Sequence, residues 1–287
     1  MEFAVRELQD YPVSKVCRLL DIRLSAYYYR RKHPHENKLP KETQDVITVF
    51  YEHFGSFGRR TIRKQLLAKG IRIGEHKITR IMKKEGLCSK YGRKKGKNVH
   101  TAPQVSEKYL SENLFSGMSA EEKRDKVILS MDFTEQKVSG KKMYTCGIIN
   151  ICNKILESML CGCKNNSEAA CRTVEMAIKE YGVPYMILTD RGSPFVSKSF
   201  HDLLKRYGIR HSMSRPHTPG DNCFIETFWK SMKTEIGRVE HLTPGQYMAV
   251  IEFYSHYYNH ERPHSTLGYC APLRALRETV TKLSFKI

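Results

Sequence analysis

The chain has 287 residues, enough for one sizeable core plus one or two small modules, which excludes a single small domain. Its 49 Lys and Arg exceed its 30 Asp and Glu by 19 charges, a balance that suits a polyanionic partner. Nine cysteines without a CxxC pair indicate neither a disulfide framework nor a zinc ribbon. No stretch approaches the ~18 apolar residues of a membrane span, and MEFAVRELQD lacks the basic start and apolar run of a signal peptide, so the expectation is a soluble protein of a reducing cytoplasm.

Residues 12–31 predict a short helix with Val13, Val16, Leu19 and Leu20 apolar, a turn at Asp21 to Leu24, and a second helix that Ser25 can cap. That is a helix-turn-helix shape within an N-terminal segment 1–35. Tyr27, Tyr28 and Tyr29 suit a miniature core better than a nucleic-acid contact. Past the polar connector HPHENKLPKE, two amphipathic helices are expected, one lined by Ile62, Leu66 and Leu67 and stopped by Gly70, the next lined by Ile78, Ile81 and Met82 and ended by Gly86. Their other faces carry Arg59, Arg60, Arg63, Lys64, Lys77, Arg80, Lys83 and Lys84, and the basic run continues through Lys90, Arg93, Lys94, Lys95 and Lys97. Residues 41–97 thus read as a helical DNA-binding domain, and 98–124 as a polar linker with one short helix.

From 125 to 287 the pattern mixes strand and helix. KVILSMDFT, MYTCGIINIC and ILESMLCG read as three consecutive strands. NSEAACRTVEMAIKEYG is an amphipathic helix with Ala169, Val174, Ala177 and Ile178 inward, followed by the strand PYMILTD, a helix at 197–207, the strand IRHSMS, and helices near 221–236 and 245–260. The class is α/β, a mixed sheet flanked by helices.

Three carboxylates punctuate this segment. Asp132 is read as ending the first strand, Asp190 as ending the fourth before the turn signal Gly192-Ser193-Pro194, and Glu226 as lying on the following helix. Each alone fits a plain role, a strand-end turn residue or, for Glu226, a helix partner of Lys230. Together, two strand ends on one sheet edge and an adjacent helix can present three carboxylates to one point. Oxygen-only ligands are what magnesium requires, and two such ions about 4 Å apart can activate one oxygen and stabilise the departing one in an in-line displacement. His256, His260 and His264 recur at steps of four, but Pro263 interrupts them and no HExxH is present, so zinc is not expected. His33 and His35 lack an accompanying CxxC, and RGSPF is not a nucleophile elbow.

Asp190 and Glu226 are separated by 35 residues and Lys233 lies seven beyond the glutamate, a pattern that resembles the DD(35)E transposases and retroviral integrases with their RNase H-like core. The closer resemblance is to the second-reading-frame proteins of bacterial insertion sequences, through DFT, TDRGSPF, SMSRPHTPGDNCFIETFWKSMK and YYNHERPHSTLGY, with FGSFGRRTIRKQL and GLCSKYGRKK extending it upstream. The chain departs from that pattern before Asp132, where VILSMD stands in place of a tryptophan, at Pro194 in place of a glutamine, and in the wording of HTPGDN. The resemblance implies a transposase. Asp132, Asp190 and Glu226 would bind two Mg2+ or Mn2+ ions for strand cleavage and 3′-hydroxyl transfer at the element's ends. Lys233 and Lys230, on the Glu226 face of their helix, would meet DNA phosphates. Arg191, Arg59, Arg60, Arg80, Lys83, Lys84, Arg93, Lys94, Lys95 and Arg262 are the further DNA contacts it allows. The implied partners are double-stranded DNA at element ends and target, further copies of the chain, and the product of an upstream overlapping frame. A catalytically silent DNA-binding regulator and an RNase H-type nuclease are the alternatives.

Overall fold

Tyr27 closes a small core with Val16 and Cys17, between a helix α1 (Val13–Leu19) and a helix α2 (Leu24–Lys32). Tyr28 and Tyr29 are exposed, because successive helical residues turn by about 100° and only one of three can face inward. Ser25 lies inside the first turn of α2 rather than capping it, since the helix starts at Leu24. The computed structural model describes residues 12–19, 22–32, 39–92, 109–215, 218 and 222–284. Leu20, Asp21, His33, His35, Arg93, Lys94, Lys95, Lys97 and linker residues 98–108 lie outside the described residues. The chain divides into two units, Met1–Asp45 and Val46–Ile287.

A helix α3 (Lys41–Glu52) leads into the second unit. It is absent from the expected elements because its apolar residues are mostly β-branched or aromatic, which leaves local propensity undecided. Val46, Val49 and Phe50 recur at helical spacing and pack on Ile62 and Leu66 of α4 (Arg59–Ala68) and Ile78 and Ile81 of α5 (Glu75–Lys84). Gly70 and Gly86 follow α4 and α5 with φ of 78° and 66°, values a side chain would strain, and so end the helices as expected. Leu67, expected inside, is exposed. Arg60, Arg80, Lys83 and Lys84 are exposed, while Arg59 pairs with Glu75 at 3.6 Å across the two helices.

Beyond a short helix α6 (Ala120–Asp125) the strands β1 (Ile128–Val138), β2 (Lys141–Asn150), β3 (Leu156–Cys163), β4 (Met186–Thr189) and β5 (Arg210–Met213) form one sheet in the order β3-β2-β1-β4-β5. The first three strands run antiparallel, and β4 and β5 run parallel to β1, so the expected mixed sheet is what forms. Alternation along the strands builds two cores. Leu129, Met131, Cys146, Ile148 and Ile187 meet α7 (Ser167–Tyr181) and α8 (Lys198–Tyr207) on one face, while Ile149 and Leu156 meet α9 (Cys223–Ile236) and α10 (Pro244–His260) on the other. A last helix, α11 (Pro272–Ser284), packs on α10. Among the described residues no helix is long and apolar enough to cross a membrane.

The helical module and the sheet domain of the second unit meet at a buried charge. Glu235 of α9 is 0 % exposed. Its carboxylate accepts from Arg262 Nη2 at 2.7 Å, from Arg262 Nε at 3.0 and 3.1 Å, and from Tyr254 Oη at 2.8 Å. Tyr91, just past the basic helices, also donates to it, and Lys90 Nζ donates to the Glu235 carbonyl at 2.9 Å. Nearby, His53 Nδ1 and Tyr257 Oη share a hydrogen bond of 2.9 Å, and Phe54 packs edge-on against Tyr257. Arg262, expected at DNA, is therefore turned inward and 8 % exposed, because its guanidinium neutralises the buried Glu235. Removing one partner strands a buried charge, so Arg262→Ala should cost about 3–5 kcal/mol of unfolding free energy in urea. The salt dependence of DNA binding should stay as in the unaltered chain. A lowered salt slope without loss of stability would return Arg262 to the DNA.

Burial lowers the His53 pKa from 6.5 to about 4. The folded chain keeps the ring neutral while the unfolded chain takes up a proton, so this group makes stability fall as pH drops from 6.5 toward 4. His53→Gln should flatten that decline by up to about 1.4 kcal/mol per pH unit. Unfolding free energies measured at several pH values in that window check it, and an unchanged slope would mean that His53 charges without penalty.

Candidate active site

The hairpin between β1 and β2 runs further than the apolar pattern indicates, so Asp132 sits inside β1 and not at its end. Its position is special for another reason. The parallel pairing of β1 with β4 is Ile128↔Met186, Leu129↔Ile187 and Ser130↔Leu188, and there it stops. Two residues further in the same register stand Asp132 and Asp190, level with each other and on one face of the sheet. That face is the one covered by α9, since Met131, one residue before Asp132, and Ile187, three before Asp190, belong to the opposite core.

Local backbone groups hold the two carboxylates. Asp132 Oδ1 accepts from the Phe133 N–H at 2.7 Å, and Asp190 Oδ1 accepts from the Gly192 N–H at 2.8 Å. A Cβ on residue 192 would come within 2.9 Å of that same Oδ1, so this turn needs its glycine. Burial raises the Asp132 pKa well above the usual carboxylate range, and the charge of Asp190 adds to it, followed by that of Glu226. Burial also raises Asp190, against the Gly192 hydrogen bond. Side-by-side, partly buried carboxylates resist ionisation until a cation compensates them.

Glu226 lies in the first turn of α9 and is exposed. The start of α9 is tied to β1 by Ser130 Oγ, which donates to the buried Asn222 Oδ1 at 2.9 Å, two residues from Asp132 and four from Glu226. Asn222 and Gly192 were not singled out from the sequence for these roles. Among the described residues no three His, Cys, Asp or Glu side chains close into a ready-made metal cluster. The structure brings Asp132 and Asp190 together and leaves Glu226 within charge range of Asp132. An all-carboxylate donor set of this kind fits a hard divalent ion and not a soft one.

Lys233 Nζ donates to the Glu135 carbonyl of β1 at 3.2 Å, and Lys230 is exposed one turn earlier on α9. Arg191 Nε donates to the Ser214 carbonyl at 3.0 Å, which steadies the turn after Asp190. His256 and His260 stack at 4.2 Å on α10, while burial lowers the His264 pKa to about 3 beside Arg262.

The integrase core domain family matches residues 122–219, a second integrase core domain family matches 207–272, and an HTH-like domain family matches 36–95. The transposase for insertion sequence element IS904 of Lactococcus lactis is 26% identical over 249 residues, covering 84% of this chain and 96% of that protein. The putative transposase InsK for IS150 of Escherichia coli is 23% identical over 281 residues, 94% and 95% of the two chains. The transposase InsF for IS3A of Escherichia coli is 23% identical over 282 residues, 94% and 96%. Among solved structures, the HTLV-2 integrase catalytic core domain overlaps 51% of this chain and 93% of its own, at 19% identity and a TM-score of 0.42. With an HTH-like domain and an integrase core in that order, and insertion-sequence transposases matched almost end to end, the chain is similar to the IS3-type insertion-sequence transposases, a likeness that supports a DNA-binding polynucleotidyl transferase with the general divalent-metal dependence of integrase cores.

Proposed function

We propose that Asp132, Asp190 and Glu226 together hold two divalent ions, Mg2+ or Mn2+, and that this site cuts DNA at the ends of an insertion sequence and joins them to a target. The observation that carries the reading is the parallel register, which sets two partly buried aspartates level beside a helix bearing the third carboxylate. Glu226 sits on a long, rotatable side chain in the first turn of α9, able to swing toward the aspartates once their charge is compensated. Bound there, the ions would polarise the scissile phosphate and support attack and departure in line.

The reaction proceeds in two displacements without a covalent enzyme intermediate. In the first, a water oxygen bonds to phosphorus at the element's end and the P–O3′ bond breaks, leaving a 3′-hydroxyl. In the second, that oxygen bonds to a target phosphorus and a target P–O3′ bond breaks. The chain's own residues orient the substrates. Lys233 and Lys230 present positive charge to terminal phosphates on the Glu226 face, and Arg191 does so beside Asp190. The exposed basic faces of α4 and α5, with Arg59, Arg60, Arg80, Lys83 and Lys84, hold duplex DNA. Joining two ends at one target requires at least two copies of the chain, and an upstream-frame product is a fitting further partner.

Asp132→Asn, Asp190→Asn and Glu226→Gln should each lower cleavage and strand transfer by at least ~100-fold, the scale seen when one preorganised electrostatic group is removed. Binding to the element's ends should persist. Near-normal transfer by any one variant on a pre-cleaved end would take that residue out of the site.

Replacing Arg60, Arg80 and Lys83 together by alanine should weaken DNA binding and reduce its log–log salt slope by about 2.7, at about 0.9 for each phosphate contact. Binding measured across a salt series tests this directly. An unchanged slope would make these faces solvated surface only.

A further inference from the structure

The one tryptophan of the chain, Trp229, lies three residues after Glu226 on α9. Trp229 is 5 % exposed, and its Nε1 is buried without a completed hydrogen bond. An indole N–H left so in a protein interior is costly, which makes its direction informative. The direction is set by Gly147. This glycine stands directly opposite Asp132 in the antiparallel β1–β2 pair, and directly opposed residues project to the same face. A Cβ on residue 147 would lie 2.7 Å from Cη2 and 3.0 Å from Cζ2 of the Trp229 ring. The indole therefore occupies the place of the missing side chain, on the face from which Asp132 projects. Cζ2 is bonded to the same ring carbon as Nε1, so the edge resting on the strand pair is the edge that carries the N–H.

We propose that Trp229 is a positioning residue for Asp132, its indole N–H holding the carboxylate in the orientation a divalent ion requires, with Gly147 keeping open the space the ring needs. The inference rests on the reading of Asp132 as a metal ligand. The Phe133 N–H already engages Asp132 Oδ1, and Trp229 supplies a second donor from α9, over the same face of the sheet.

The test uses the full-length chain and Mn2+ alone. Titrating Mn2+ into the wild-type protein should quench the fluorescence of its single tryptophan in a saturable way, and Asp132→Asn should abolish the saturable component. Trp229→Phe keeps an aromatic ring and loses the N–H. Its Mn2+ affinity, measured by electron paramagnetic resonance of the free ion, should fall about tenfold, as for loss of a hydrogen bond to a ligating side chain, with melting temperature and DNA binding retained. Gly147→Ala, which displaces the ring, should reproduce the defect with the indole present. Wild-type affinity in Trp229→Phe, or Mn2+ binding that leaves the fluorescence unchanged, would overturn the proposal while the metal site stands. Undiminished Mn2+ binding by Asp132→Asn would overturn the metal-site reading itself, and this inference with it. If Trp229→Phe fails to fold, the wild-type quenching and the Gly147→Ala affinity decide.

Discussion

A carboxylate with no access to water sets the arrangement of the second unit. Glu235 cannot remain charged in the interior unless its oxygens are satisfied, and the residues that satisfy them come from three places: Arg262 beyond α10, Tyr254 within α10, and Tyr91 beyond the basic helices. A buried pair of this kind adds little net stability over an apolar replacement. What it imposes is a penalty on every other arrangement, since any displacement of these segments leaves the charge unpaired. The helical module is thereby held against the sheet domain at one defined place, reinforced by His53 and Phe54 on the tyrosines of α10.

The same helix serves two ends. Glu235 and Glu226 are nine residues apart on α9, which places them about 180° apart around its axis. With Glu235 fixed among Arg262 and the tyrosines, the buried side of α9, with Ile225, Phe228, Trp229 and Met232, is set on the sheet, and Glu226 lies on the exposed side. Ser130 and Asn222 secure the near end of the helix to β1. The position of Glu226 and Trp229 relative to Asp132 is thus a consequence of an ion pair on the far side of the helix, and the geometry of the candidate site depends on packing that never touches substrate.

Charge is divided between the parts of the chain by function. The excess of 19 positive charges lies to a large extent on exposed helical faces, where it stays solvated and attracts a polyanion over a distance. The candidate site instead concentrates negative charge in partly buried positions, where it repels DNA phosphates until cations intervene. In the proposed function the affinity for duplex and the chemistry at its ends would be carried by separate residues, joined through the contact at Glu235.

The class of the fold was legible in the order of elements: basic amphipathic helices, then three runs of strand-forming residues, then alternation of helix and strand. The runs ending near Asp132 and Asp190 and the helix bearing Glu226 were legible too, because burial patterns of single elements repeat with periods of 2 and 3.6 residues that any short window displays. The length of β1 was not, because it extends to Val138 through pairing with β2 and not through its own apolar pattern. Helix α3 was missed where β-branched residues left local propensity undecided. Arg262 in a polar turn reads as a surface residue, and only Glu235, buried 27 positions earlier, turns it inward. Gly147 and Trp229 give no sign of one another across 82 residues. Local periodicity determined what the elements are. Which residues meet was decided only in the folded chain, because the free energy of burying a charge or filling the space above a glycine belongs to contacts between distant segments and is present in no single stretch of sequence.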